Sequence, residues 1–165
     1  MIAMIVTVLG LGRLRPAPGT WASAAAVLLA IPVHEAGGAL LIPLGALAAV
    51  LIGFWAVPRA LRLTRDEDPS WIVIDEVAGQ WLALSFTLIP LWRHGVSVLD
   101  AWPALAVPFL LFRLFDIWKP WLVGRADRQG GAVGVMMDDL WAGLFAGLGS
   151  MALAGLYHAV LEPML

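Results

Sequence analysis

The chain has 165 residues, of which 61% are apolar and only 13% are charged, with a net charge of −2 and a mean hydropathy of +0.88. Soluble globular domains carry roughly 25% charged residues. The composition therefore predicts a single membrane-embedded domain over residues 1–165 and excludes a broad basic surface for nucleic acid. Because the chain contains no cysteine, disulfides, thiolate metal sites and cysteine nucleophiles are also excluded.

The apolar stretches predict an all-α integral membrane protein, a compact bundle of about five hydrophobic helices. Residues 1–10 are apolar but too short to cross a bilayer, which needs about 20 residues, and they predict a short interfacial helix. The predicted spans are residues 20–33, 39–57, 72–91, 101–118 and 136–161. Helices are the expected form because every backbone polar group in lipid must be satisfied within the chain.

Charge is concentrated in three polar segments, residues 13–20, 59–76 and 113–139, which hold nine of the ten bases and nine of the twelve acids. Apolar sequence long enough to cross a membrane and return separates each segment from the next. All three segments are therefore expected at one membrane face. By the positive-inside rule that face is cytoplasmic, and the C-terminus is expected outside.

Two acidic pairs share one layout, an apolar run followed by two acids, small residues and tryptophan. Asp75 and Glu76 are predicted to open the third span, and Asp138 and Asp139 to open the fifth. Neighbouring helix residues point about 100° apart, so one acid of each pair can face the bundle. Inward carboxylates from two helices form a hard oxygen site that suits Mg²⁺. Acids also favour helix N-termini, but ionisable groups near lipid are costly and usually functional.

Arg113, Asp116 and Lys119 lie at successive i, i+3 positions at the end of the fourth span. One helix face therefore presents a base, an acid and a base. The functional interpretation assigns the two bases to a phosphate, and Asp116 to a metal or to water activation. The alternative is a ladder of ion pairs that snorkels towards the interface. The spacing alone favours neither interpretation.

Three other polar segments carry weaker signals. The loop over residues 124–134 is most simply a connection, although its glycines would let backbone N–H groups approach an anion. Thr20 follows a rigid, proline-containing turn and suits the N-cap of the first span. The acidic run over residues 66–68 is interpreted as solvated surface.

Four motifs follow one another along the chain: PGTWAS at residues 18–23, IDEVAGQW at 74–81, FRLFDIWKPW at 112–121 and GGAVGVMMDDLWAG at 130–143. Together they resemble the phosphatidylglycerophosphatase A family over most of the chain. The resemblance implies a Mg²⁺-dependent phosphatase of the bacterial inner membrane, which removes the terminal phosphate of phosphatidylglycerophosphate to give phosphatidylglycerol. Two features depart from the family pattern: Ala22 stands where glycine is frequent, and Arg13 and Arg15 stand where fewer bases are expected.

The resemblance implies a multi-pass enzyme, a phosphoric monoester hydrolase, whose site faces the cytoplasm. Mg²⁺ is expected on four catalytic acids, Asp75, Glu76, Asp138 and Asp139, with Asp116 close by as a fifth catalytic residue. The expected substrate-binding residues are Thr20, Arg113, Lys119, Arg125 and Arg128, whose bases would neutralise phosphate charge. Water and an aspartate both stay open as the nucleophile, as do the number of metal ions, the oligomeric state and the acyl-chain preference.

Two other functions are compatible with acids in a membrane bundle. A phospholipid-headgroup transferase would also use aspartates and Mg²⁺, but the spaced DG…AR…G…D…D pattern of that class is missing. A small cation carrier would spread its acids along a pore, whereas here acids and bases interleave at helix ends on one side. The pattern therefore favours an anionic lipid headgroup, with membrane lipids as the surroundings and no nucleic-acid partner.

Overall fold

The structure, a computed structural model, describes residues 1–66 and 68–161, and within that part of the chain all regular secondary structure is helical. A 3₁₀ turn over Leu11–Arg13 follows the first helix, and a π-helical turn over Tyr157–Leu161 follows the last. The α-helices are α1 (Ile2–Val6), α2 (Pro18–Glu35), α3 (Leu41–Leu61), α4 (Ile74–Arg93), α5 (Pro103–Trp118), α6 (Leu122–Asp127) and α7 (Gly131–Leu156). The all-α class predicted from the sequence is confirmed.

Several helix boundaries differ from the sequence prediction, and the start of α7 differs most. Helix α7 begins at Gly131, well before residue 136, and the predicted loop over residues 124–134 contains helix α6. Glycine weakens a helix, so this glycine-rich stretch looks like a connection. Here the glycines serve packing, since a Cβ on Gly134 would lie only 3.2 Å from the Ala126 carbonyl oxygen of α6. The prediction that Asp138 and Asp139 open the last helix is therefore wrong.

Helix α2 also starts earlier than predicted, because Pro18 occupies its first turn. Proline suits that position, where its missing N–H is not needed and its fixed φ is already helical. Thr20 consequently lies inside the first turn and is not the N-cap; the N-cap position is held by Ala17, which makes no side-chain hydrogen bond.

Within the described residues, two helices are long and apolar enough to cross a membrane by length and composition, Leu41–Leu61 and Gly131–Ala159. Helix α5 has only 16 residues and α2 has 18, whereas a perpendicular crossing needs about 20. Helix α4 has 20 residues but carries Asp75 and Glu76 in its first turn. The bundle of about five spanning helices stays a prediction.

Helix α4 is the centre of the packing and contacts α2, α3, α5 and α7. On one side its Leu84 and Leu88 are fully buried against Ala30 of α2 and Ile42 of α3. On another side Ala83 packs with the fully buried Phe112 of α5. An element surrounded in this way gives its first-turn residues neighbours from several helices, and this positions the site.

Helices α4 and α7 approach closely at two glycines. A Cβ on Gly143 would lie 2.3 Å from the Gly79 carbonyl oxygen, and a Cβ on Gly79 would lie 2.5 Å from the Asp139 carbonyl oxygen. Small residues of this kind let helix backbones meet. Each glycine follows an acid by four residues, Gly79 after Asp75 and Gly143 after Asp139, so each acid shares the contact face of its helix. The crossing therefore brings both acidic pairs together.

Candidate active site

A cavity of about 250 Å³ lies where α2, α4, α5 and α7 meet. It is lined from all three polar segments of the chain, so the structure brings these segments together at one end of the bundle. The polar side chains that line it are Thr20, Asp68, Ser70, Asp75, Glu76, Arg113, Asp116, Lys119, Asp138 and Asp139. All five acids predicted to be catalytic are in this set.

Three of these acids approach one another most closely. One carboxylate oxygen each from Glu76, Asp116 and Asp139 lies within 4.8 Å of the other two. Hard divalent cations such as Mg²⁺ take oxygen ligands and keep several waters. The donor set thus fits Mg²⁺. The sequence prediction of Asp75, Glu76, Asp138 and Asp139 as the ligands stays untested. Asp116, which the family resemblance implies lies close by, is one of the three acids in this group.

The charges of the cavity lining do not balance. Among the described lining residues six are carboxylates and two are cationic. Three of the acids are almost fully buried: Asp75 and Asp138 are each 6% exposed, and Asp139 is 3% exposed. Buried negative charge of this density is costly unless protons or a cation compensate it. Asp68, in the segment before α4, is exposed at the edge of the cavity; partial burial of its carboxyl raises its pKa, although the nearby Lys119 opposes that shift.

Glu76 is held in place from two sides. Ser23 Oγ of α2 donates a hydrogen bond to Glu76 Oε2 at 2.9 Å, and Arg113 Nη1 of α5 donates to the same oxygen at 2.5 Å. Arg113 also pairs with Asp116 Oδ2 at 3.0 Å. Gly19 leaves room for the other oxygen, since a Cβ there would lie 1.8 Å from Glu76 Oε1. Helices α2 and α5 therefore fix the orientation of this carboxylate.

Lys119 holds the other side of the cavity. It lies at the C-cap of α5 with φ 50, a left-handed conformation that non-glycine residues adopt rarely and often at functional sites. Its Nζ donates to Asp127 and, at 3.0 Å, to Asp138 Oδ2. Burial disfavours the charged amine, but the two hydrogen-bonded carboxylates outweigh it and hold the pKa of Lys119 above its ordinary value. The two ion pairs and this pKa direction both favour a charged Lys119 at neutral pH.

The ordinary helix-end explanation accounts for one acidic pair only. Asp75 and Glu76 lie in the first turn of α4, where acids interact favourably with the dipole. Asp138 and Asp139 lie two turns into α7, beyond the reach of that effect. In both pairs the first acid accepts the next residue's N–H at 2.9 Å. The helix dipole therefore does not explain why the second acidic pair lies where it does.

Arg113 and Lys119 also distinguish the two sequence interpretations of the α5 ladder. Their side chains are 15% and 28% exposed, and both line the cavity. This arrangement supports the functional interpretation over snorkelling. Arg125 and Arg128, in contrast, are exposed on and after α6 and lie outside the cavity lining. Their predicted contact with substrate is not supported by this geometry.

Sequence reasoning missed several residues of the site. The motif at residues 18–23 contains Gly19 and Ser23 but does not by itself indicate their roles, and the sequence predicts Asp127 within a connecting loop. The acidic run is predicted to be solvated surface, and Asp66 and Asp68 are both exposed, while Glu67 lies outside the described residues. The sequence did not show that Asp68 also lines the cavity. The i, i+4 spacing of Gly19 and Ser23 was the available signal, because it places both on one face of α2.

The fold and the cavity define an all-helical, strongly apolar protein with a buried carboxylate site that carries two bases, an arrangement typical of metal-assisted phosphoryl chemistry. The family model of phosphatidylglycerophosphatase A matches residues 4–154. The chain belongs to the phosphatidylglycerophosphatase A family, as its motifs predict, and this membership places it among the phosphoric monoester hydrolases.

Two of three individual relatives carry the family's name, and the third is named for another lipid phosphatase. A Bacteroides thetaiotaomicron protein, provisionally named a phosphatidylinositol-3-phosphatase, is 36% identical over 87% of both chains. The phosphatidylglycerophosphatase A of Haemophilus influenzae is 28% identical over 88% of this chain and 83% of its own length. That of Escherichia coli is 32% identical over 59% of this chain and 51% of its own. No solved structure matches the chain at a significant level.

Proposed function

We propose that this protein is a Mg²⁺-dependent phosphatase that hydrolyses phosphatidylglycerophosphate to phosphatidylglycerol and inorganic phosphate. One observation carries the proposal: three carboxylates from three helices converge within 4.8 Å in a cavity that also holds Arg113 and Lys119. Carboxylates suit the metal and the two bases suit an anionic phosphate. Family membership favours this hydrolase over the transferase and the cation carrier.

The reaction adds water across a phosphate ester. A new P–O bond forms to the attacking oxygen, the ester P–O bond breaks, and the released alcohol takes a proton. Glu76, Asp116 and Asp139 would hold the metal, with Asp75 and Asp138 beside them in the cavity. When bound, Mg²⁺ supplies Lewis-acid stabilisation of phosphate charge and lowers the pKa of bound water.

The protein's own cations have distinct tasks. Lys119, with its raised pKa, is suited to neutralise phosphate charge and is a poor proton donor. Arg113 Nη1 contacts two carboxylates, while the buried Nε of the same side chain has no partner among the described residues. A guanidinium has five donors, so Arg113 has donors left for a phosphate oxygen. Ser23 keeps Glu76 oriented during these steps.

A bacterial inner membrane suits the remaining surface. Leu44, Leu47, Leu51 and Phe54 of α3 are exposed and follow one another at i, i+3 and i, i+4 spacing, which forms an apolar stripe. In the proposed topology α2, α3, α4, α5 and α7 cross the bilayer and α1 lies at its interface. The site end, near Arg59, Arg62 and Arg65, then faces the cytoplasm, because the other end carries only Arg93.

A second substrate has specific support. The relative with 36% identity is named for a phosphoinositide, and that lipid also ends in a phosphate monoester. The site chemistry would be the same, and only the alcohol between the lipid and the phosphate would differ. Phosphatidylinositol 3-phosphate is therefore the second candidate.

Release of inorganic phosphate by the detergent-purified protein tests the function. We expect release from phosphatidylglycerophosphate with Mg²⁺ and none with EDTA. Faster release from phosphatidylinositol 3-phosphate, compared at equal mole fraction in the same micelles, would make that lipid the preferred substrate in place of phosphatidylglycerophosphate. A folded, monodisperse sample that releases phosphate from neither lipid would refute the proposed activity.

A further inference from the structure

A second and larger cavity adjoins the candidate active site. Its volume is about 630 Å³, and it shares Pro18 and Ser70 with the lining of the carboxylate cavity. Arg13 and Arg15 line it together with apolar side chains that include Leu14 and Trp71. We name it the arginine cavity. Because two lining residues are common to both cavities, the cavities are immediate neighbours.

The electrostatics of the two cavities are opposite. None of the described residues that line the arginine cavity is acidic, whereas six carboxylates line its neighbour. Arg13 and Arg15 are exposed and form no ion pair with any described residue. Arg113 and Lys119 each bind two carboxylates already. Arg13 and Arg15 therefore differ from the two bases of the site in that no carboxylate of the described residues competes with an anion for their guanidinium groups.

The segment that carries these arginines is fixed to the start of α4. Val73 N–H donates to the Val6 carbonyl oxygen at 2.9 Å, so the end of α1 is tied to the approach to the site. Gly12 packs on the backbone of Trp71, since a Cβ there would lie 2.1 Å from the Trp71 carbonyl oxygen. The position of the arginine cavity relative to Asp75 and Glu76 is thus set by packing.

A lipid that carries two different phosphates matches this pair of cavities. Its terminal phosphate monoester is a dianion and suits the metal-binding carboxylates. Its phosphodiester carries one negative charge and suits guanidinium groups, which bind phosphate oxygens in pairs. The apolar rim formed by Leu14 and Trp71 suits the glycerol and the first acyl carbons beyond the diester. Phosphatidic acid has no diester and would leave the arginine cavity empty.

We propose that Arg13 and Arg15 bind the phosphodiester of the lipid substrate while its terminal phosphate occupies the carboxylate cavity. The arginine cavity then makes the enzyme selective for lipids with a monoester and a diester. This inference rests on the proposed phosphatase function. It also applies to both candidate substrates, because phosphatidylglycerophosphate and phosphatidylinositol 3-phosphate both contain the diester.

The test replaces both arginines, Arg13→Gln with Arg15→Gln, and measures turnover of phosphatidylglycerophosphate in mixed micelles with Mg²⁺. Charge-assisted hydrogen bonds of this kind contribute enough for a loss in kcat/KM of about tenfold or more, mainly through KM. The matched control is the pair Arg62→Gln with Arg65→Gln. It removes the same charge from exposed positions near the same end that line neither cavity, and it should change kcat/KM less than about twofold.

Inhibition by the two products separates the two cavities. Phosphatidylglycerol carries only the diester, and inorganic phosphate lacks it. In the Arg13→Gln, Arg15→Gln variant the inhibition constant of phosphatidylglycerol should rise about as much as KM, while that of inorganic phosphate should stay within about twofold. Wild-type protein should also prefer phosphatidylglycerophosphate to phosphatidic acid, and the variant should lose most of that preference.

Several results would overturn the inference without touching the proposed function. These are an unchanged kcat/KM in the variant, equal rises in both inhibition constants, wild-type protein that phosphatidylglycerol does not inhibit, and equal turnover of phosphatidic acid by the wild type. A wild-type protein that releases no phosphate from either candidate lipid would refute the function itself. Thermal melting of the variant shows whether a loss reflects unfolding, which is not expected for two exposed residues.

Discussion

Carboxylates have opposite environments at the two ends of the helical bundle. At the end away from the site, Glu35 closes α2 and its Oε1 accepts hydrogen bonds from Val98 N–H at 2.8 Å and Ser97 Oγ at 3.0 Å. About 30 Å away along α4, six described carboxylates share one small cavity with two bases. Glu35 is a structural acid that its donors satisfy. The acids of the site outnumber the bases and hydrogen-bond donors around them. A bound cation would neutralise the remaining negative charge.

Among substitutions that test the difference between the two ends, Asp139→Asn should have the largest effect. Loss of a metal-binding carboxylate should lower kcat on phosphatidylglycerophosphate by about 10³-fold, since metal stabilisation contributes several kcal/mol. The same change removes buried like-charge repulsion, so the Tm of the metal-free protein should not fall. Asp100→Asn, at an exposed position near the other end, is the matched control and should keep wild-type activity. A fully active Asp139→Asn protein would remove Asp139 from the site.

Gly19→Ala should give the next largest effect. Its Cβ would meet Glu76 Oε1, so the carboxylate must move from the position that Ser23 and Arg113 give it. We expect kcat to fall by about 10- to 100-fold, as a misplacement of about 1 Å commonly causes. Gly155→Ala is the control, because nothing lies within 4 Å of its Cβ position. Equal activity of the two variants would show that the orientation of Glu76 does not matter.

Lys119→Gln tests whether the bases of the site act on substrate. Loss of one charge-assisted contact should lower kcat/KM by about tenfold. Because the pKa of Lys119 lies above its ordinary value, the wild-type side chain stays charged from pH 7 to 9, and the deficit of the variant should be constant there. Stability from a raised lysine pKa is present below the unfolded value of about 10.4 and is lost only above it. An unchanged kcat/KM would return Lys119 to a purely structural ion pair.

Glu35→Gln should have the smallest effect and should not affect catalysis. The Val98 N–H, with help from Ser97 and His34, holds the pKa of Glu35 below its ordinary value. The stability that this gives is present above the unfolded pKa of about 4.3 and is lost as pH falls through the folded value. The variant should melt slightly below the wild type at pH 7, and the difference should shrink in acid. A loss of activity would contradict the division between the two ends.

The sequence predicts the features that depend on composition and on single helices. The helical class follows from the apolar runs, and the two acidic pairs and the α5 ladder follow from residue order. The sequence does not predict the features that depend on which helices contact one another. The family resemblance implies that Asp116 lies close to the metal site, but residue order alone does not show it, because Asp116 joins Glu76 and Asp139 through the packing of α5 on α4 and α7. Periodicity places each acid on a face but does not say which faces meet.

The start of α7 shows a second limit. Gly130 and Gly131 have positive φ and begin the helix, and the glycines after them favour a loop by propensity alone. Contact with α6 overrides that propensity. The role of Ser23 was hidden for a related reason, because a hydroxyl at 2.9 Å from Glu76 requires α2 and α4 to be adjacent over 53 residues of sequence separation.

Binding of a paramagnetic cation tests most directly whether the carboxylate excess is a metal site. Mn²⁺ has the ligand preferences of Mg²⁺, and its electron paramagnetic resonance signal reports the bound fraction in the detergent-purified protein. We expect the wild type and Asp100→Asn to bind Mn²⁺ in competition with Mg²⁺, and Asp139→Asn to bind it at least about tenfold more weakly. Equal binding by all three proteins, or none by the wild type, would contradict the account.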